Sequence, residues 1–160
     1  VDITRYGPSR TQHSGHYGNW APNPLVTMAH LIAGMRDTDG RILIENFYDD
    51  VRAPTSAERA AIAAAPSADS ALRDELLLNR TEADNAALLE RIMLPAFNVR
   101  GISGGGVGNQ AANAVPTTAR ASIDFRLVPR QSPGRLRRAT TPPTSDSRSG
   151  RCGSTTPSWN

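Results

Sequence analysis

Two histidines three residues apart offer this chain its most distinctive chemistry. The stretch Thr11-Gln12-His13-Ser14-Gly15-His16-Tyr17-Gly18 places them on a glycine-rich turn, just ahead of the helix-start pair Asn23-Pro24. A histidine on such a turn can reach something outside its own domain. A self-sufficient zinc site needs three or four ligands from His, Cys, Asp or Glu. His13 and His16 have no carboxylate close in sequence, His30 falls inside an expected helix, and Asp49-Asp50 follows an expected strand, where a solvated turn is the default. The expectation is therefore that this chain binds no metal itself. The glycine run 101–108 lacks the Gly-Lys-Ser/Thr ending of a phosphate loop, and the chain has no lysine at all. A dinucleotide fingerprint would need a helix starting at Gly108, whereas the chain soon runs into Pro116 and a strand. A tight, close-approaching loop is the simpler use of these glycines.

The elements that must hold these residues can be read from periodicity. Residues 1–6 alternate with period two and end at Gly7-Pro8, which predicts a strand. Asn23 suits an N-cap and Pro24 the first helical position. Leu25, Met28, Ala29, Ile32 and Met35 then recur at helical spacing, and Asp37-Thr38-Asp39-Gly40 stops the helix. Arg41 to Glu45 reads as a returning strand. Thr55-Ser56-Ala57-Glu58 matches a capping box opening an alanine-rich helix that Pro66 ends. Residues 69–78 and 84–93 carry two further helical patterns, and 97–102 reads as a strand. From Thr117 to Val128, Ala119, Ala121, Ile123, Phe125 and Leu127 alternate with polar residues, the signature of a strand with one buried and one wet face. The expected fold class is α+β: a two-layer sandwich whose mostly antiparallel sheet of about four strands carries helices on one face.

Composition divides the chain of 160 residues in two. From Arg130 onward only Leu136, Ala139, Cys152 and Trp159 are apolar, so residues 130–160 are expected to be disordered, and 1–129 to form the domain. All 18 basic residues are arginine, and six lie in that tail beside a single acid, Asp146. The remaining 12 arginines face 14 acids, so the folded part is nearly neutral and nucleic-acid binding is not expected of it. The absence of lysine beside abundant Arg, Ala, Gly and Pro points to a GC-rich gene. The tail is then read as a frameshifted or otherwise unnatural terminus. The start lacks an initiator Met and alternates like a strand already in progress, so the chain is expected to be cut there. With one cysteine no internal disulfide can form, and no apolar run approaches 18 residues; cytoplasmic residence is the expectation.

Five motifs in order now carry a resemblance: His13-Ser14-Gly15-His16-Tyr17-Gly18, Asn23-Pro24, Phe47-Tyr48-Asp49-Asp50-Val51, the glycine loop with Asn113-Ala114-Val115-Pro116, and Ser122-Ile123-Asp124-Phe125-Arg126-Leu127-Val128-Pro129. Over about residues 1–129 the chain resembles the dimerisation (lid) domain of the dizinc family that includes carnosine dipeptidase, aminoacylase and carboxypeptidase G. The resemblance implies an α+β lid inserted into a zinc-binding catalytic domain. The parent would be a homodimer with two zinc ions per site that hydrolyses dipeptides or N-acyl amino acids. It implies that His13 reaches across the dimer to stabilise an oxyanion, that Asn113 contacts substrate near the same carbonyl, and that Arg126 binds the substrate carboxylate. Each has a plainer role open to it: His13 as a cap of the following turn, Asn113 as a turn residue before Pro116, Arg126 as a solvated side chain. The joint order favours the functional reading for His13 and Arg126 and leaves Asn113 balanced. Gln12 stands where the family commonly has leucine. The family's zinc ligands and catalytic glutamate precede and follow the lid, so this chain alone is expected to be inactive and to bind no zinc. An alternative from another class is a stand-alone dimerisation or interaction module without catalysis. Nucleic-acid binding by the arginine tail is a weaker third.

Overall fold

The computed structural model describes residues 1–134, so the expectations about the tail fall, from residue 135 onward, outside the described residues. A three-stranded antiparallel sheet forms the frame, in the order β1 (Asp2–Tyr6), β5 (Thr118–Arg126), β3 (Ala96–Ser103). β1 and β5 run from Asp2 opposite Ser122 to Tyr6 opposite Thr118. β5 and β3 run from Arg126 opposite Ala96 to Arg120 opposite Ser103, with a register shift between Val99 and Gly101. The alternation read from the sequence sorts β5 as expected: Ala119, Ala121 and Ile123 are buried while Arg120 and Arg126 are exposed. On the wet face Arg100 donates to the Ser122 hydroxyl at 2.9 Å, and Ser122 donates to Asp2 at 2.5 Å. That second bond, above all, holds the Asp2 carboxyl below its usual range.

Helix α2 (Pro24–Met35) covers the other face. Asn23 caps it by accepting the Leu25 N–H at 2.9 Å, and Pro24 occupies its first turn. Its Met28 is completely buried against Ala119 and Ala121. Two methyl-sized residues on β5 therefore let the helix approach closely enough for Met28 to fill the space between layers. A second cluster joins Met35, Ile42, Phe47, Phe97 and Ile123. Phe97 and Phe125 meet edge to face at 5.1 Å between centroids, a favoured aromatic arrangement.

Three expected elements need correction. Residues 41–45 make no strand: only Ile42 bridges back to Arg36, and Asn46 turns the chain at φ 58°. The reason is local satisfaction. The Ile42 N–H donates to the Tyr48 hydroxyl at 3.0 Å, so its side chain enters the core without a neighbouring strand. The sheet thus has three strands, with a separate two-stranded ribbon, instead of about four in one sheet. The helical pattern over 84–93 shortens to Leu88–Arg91, because Ala83, Asp84 and Asn85 all adopt positive φ. Likewise the helix expected over 69–78 ends at Glu75, and Leu77 lies at φ 53°.

The expected capping box opens α3 (Ser56–Ala64) with both reciprocal bonds made, Glu58 N to Thr55 Oγ1 and Thr55 N to Glu58. Arg52 grips the same carboxylate. Just past the sheet, Gln131 donates to the Phe47 carbonyl at 2.8 Å and accepts from the Val128 N–H. No helix among the described residues is long and apolar enough to cross a membrane.

Candidate functional site at one end of the sheet

His13 and Asn113 come together through a two-residue ribbon. β2 (Gln12–His13) pairs with β4 (Ala114–Val115), setting His13 opposite Ala114 and Gln12 opposite Val115. The Ser14 N–H donates to the Asn113 carbonyl at 2.9 Å. Val115 is buried and anchors the ribbon, while His13 and Asn113 are exposed. So short a ladder holds because its neighbours are fixed. Gly7 donates to the Thr117 carbonyl at 2.7 Å, and a Cβ on Gly7 would stand 2.8 Å from Pro24 and 2.9 Å from the Pro116 carbonyl. Only glycine permits that approach of strand, helix start and ribbon. The glycine loop serves the same end: Gly104, at φ 150°, lies against the Thr118 carbonyl and the Leu25 side chain. This is a packing role for the loop, with no phosphate cradle.

The His13 side chain is held by the turn that follows it. A four-residue helix, α1 (Ser14–Tyr17), takes His13 as its N-cap, and the ring's Nδ1 accepts the Gly15 N–H at 3.1 Å. A Cβ on Gly15 would sit 3.1 Å from the ring. Because Nδ1 accepts, the neutral imidazole carries its proton on Nε2, the nitrogen directed away from the turn. The plain role and the functional role of His13 are therefore compatible: capping the turn is what presents Nε2–H as a donor.

Arg126 is not brought to this place. It lies at the far end of β5, eight steps beyond Thr118, a span of about 26 Å at the rise of a strand. Its side chain is 81 % exposed and faces Asp124, with Nε 3.7 Å from the carboxylate. A surface pair at that distance contributes little, so the guanidinium is free to take another anion. Among the described residues no group of three or more His, Cys, Asp or Glu could hold a metal ion.

Sequence reasoning singled out His16 beside His13 but missed the row of rings that continues from it. His16 lies 5.1 Å from His13 between ring centroids, His16 and Tyr17 are 6.3 Å apart, and Tyr17 and Trp20 are also 6.3 Å apart. The signal was present as spacing: 13, 16, 17 and 20 follow i, i+3, i+4, i+7, one face of a helical turn.

Comparison with known proteins identifies the family and the fold. Residues 3–141 match the family described as the peptidase dimerisation domain. The Cys-Gly metallodipeptidase DUG1 of Saccharomyces cerevisiae is 23% identical over 133 residues, covering 77% of this chain and 26% of its own length. The Beta-Ala-His dipeptidase of Mus musculus is 25% identical over 126 residues, covering 76% and 25%. The crystal structure of the M20 family metallo-carboxypeptidase Sso-CP2 from Sulfolobus solfataricus superposes with a TM-score of 0.74 at 30% identity, covering 87% of this chain and 37% of that one. The chain thus spans about a quarter of the length of the curated relatives it matches.

Proposed function

We propose a function from one premise: the chain belongs to the peptidase dimerisation domain family of the M20 peptidases. In this reading residues 1–129 are the lid of a zinc-dependent peptidase or amidohydrolase that cleaves dipeptides or N-acyl amino acids, and lids of two copies form a homodimer. In the same reading the zinc ligands, and the water the metal would activate, belong to the catalytic part of the parent. By itself this chain neither binds zinc tightly nor hydrolyses peptides; zinc-dependent hydrolysis by the purified 160-residue chain would overturn that.

The chain's own part is positioning. His13 donates from Nε2 to the oxygen of the scissile carbonyl as negative charge develops there, a task for a donor fixed beforehand. The observation that carries this is the Nδ1 bond to Gly15, which fixes both tautomer and ring orientation. Asn113 stands on the same ribbon to contact the substrate near that oxygen. Arg126 binds the terminal carboxylate through its planar fork. A dipeptide extends roughly 7 Å, far less than the span between the two ends of β5. One substrate therefore meets His13 and Asn113 from one protomer and Arg126 from the other.

Subunit mixing tests this in the full-length parent. His13→Ala and Arg126→Ala homodimers should each be nearly inactive with zinc content intact. Random mixing should restore about one quarter of wild-type activity, since half the dimers are mixed and each has one intact site. No recovery on mixing would defeat the arrangement.

A further inference from the structure

The rings that continue from His13, from His16 to Trp20, have no use in the chemistry just described, and their position gives them one. We infer that Tyr17 and Trp20, continued from His13 by His16, form the subsite for the acyl side of the substrate, and that this side carries an aromatic group. The inference rests on the proposed role of His13.

Three observations carry it. The rings are contiguous, at 5.1, 6.3 and 6.3 Å between successive centroids, and begin at the imidazole that meets the scissile carbonyl. They are presented outward: Trp20 is 82 % and Tyr17 41 % exposed. The backbone that carries them is also held firmly. Gly18 donates to the Ser14 carbonyl at 2.8 Å, Trp20 and Ala21 both donate to the Tyr17 carbonyl at 3.0 and 2.8 Å, and Ala21 is buried. A row of exposed rings on a hydrogen-bonded backbone is a stacking surface whose main chain is ordered in advance, so a planar ligand would meet a reduced ordering cost on it.

The direction follows from the substrate's own covalent order. The carboxylate lies on the amine side of the scissile bond, where Arg126 takes it, and His13 takes the carbonyl oxygen. What remains is the acyl substituent, and no other group described here addresses it. Offset or edge-on stacking against Tyr17 and Trp20 favours an aromatic ring there over a methyl group.

The test uses the zinc-loaded full-length dimer with two substrates sharing one amino acid, its N-benzoyl and N-acetyl derivatives. Wild type should prefer the benzoyl compound. Trp20→Leu should lower the benzoyl-to-acetyl ratio of kcat/KM about three- to tenfold, chiefly through KM, and Trp20→Phe should restore it. An unchanged ratio, or loss of the dimer in sedimentation with Trp20→Leu, would overturn the subsite and assign the ring to a protein interface. His13→Ala separates the two ideas: if it spares both substrates, the role of His13 fails; if it abolishes both while the Trp20 ratio stays fixed, only the subsite fails.

Discussion

The His13 imidazole accepts the backbone N–H of Gly15 at 3.1 Å, so a residue two positions away determines which ring nitrogen faces solvent. This bond leads to the first prediction. Gly15→Pro removes the donor, and Gly15→Ala sets a Cβ 3.1 Å from the ring. Wild type should show the Nε2–H tautomer in long-range proton–nitrogen spectra. Gly15→Pro should show a tautomer mixture, and in the parent it should lower kcat more than it changes KM. A wild-type ring protonated on Nδ1 would refute the assignment.

Ile123 is 1 % exposed and sits in the cluster with Phe97 and Met35. Truncation to Ala removes buried methylenes and leaves a cavity, which costs about 2–5 kcal/mol. Ala121→Leu tests the opposite fault. The space it would fill is taken by Met28, so overpacking of about 1–3 kcal/mol is expected. Urea denaturation of the folded chain reads both; a neutral Ala121→Leu would mean that helix and sheet are less closely packed than described.

Tyr48 replaces a strand partner for Ile42. Tyr48→Phe keeps the ring and deletes the oxygen, leaving the Ile42 N–H without its acceptor. The expected loss is about 1–3 kcal/mol, with faster hydrogen exchange at the Ile42 amide. Unchanged exchange there would show that the hydroxyl is dispensable.

Glu58 gives the pH prediction. The Arg52 guanidinium first, then the Thr55 N–H and hydroxyl, lower its carboxyl from 4.5 to about 2. A group depressed in the folded state contributes stability that is complete above its unfolded value and is lost as pH falls through its folded one. The start of α3 should therefore loosen between about pH 4.5 and 2, and Glu58→Gln should remove that dependence. Carbon NMR titration of the carboxyl checks it; a midpoint near 4.5 would contradict the ion pair.

What could be read from the sequence were features with a short-range cause. The alternation of β5, the Asn23-Pro24 start of α2 and the Thr55–Glu58 capping box each follow from residues within one or two turns. The misread parts depend on distant or single-atom partners. Arg41–Glu45 has the composition of a strand, but one tyrosine hydroxyl takes the N–H that would have sought a ladder. The β2–β4 ribbon joins residues about a hundred positions apart and is too short to show a period. His13 and Asn113 could be placed by resemblance, yet their adjacency could not be seen before that ribbon was. The ring row was legible by spacing, but an apolar stripe at helical intervals usually marks a core, and here it faces water.

β5 joins Ala114-Val115, which fix the imidazole, to the guanidinium at its other terminus, and this makes the strand a yardstick with parity. Inserting one residue between Thr118 and Arg126 would add about 3.3 Å and, more seriously, exchange odd for even positions. The arginine would then swing toward the α2 layer while alanines meant for that layer turned to solvent. Length can change here only in pairs, and even a pair would displace one anchoring point from the other by roughly the whole length of a dipeptide.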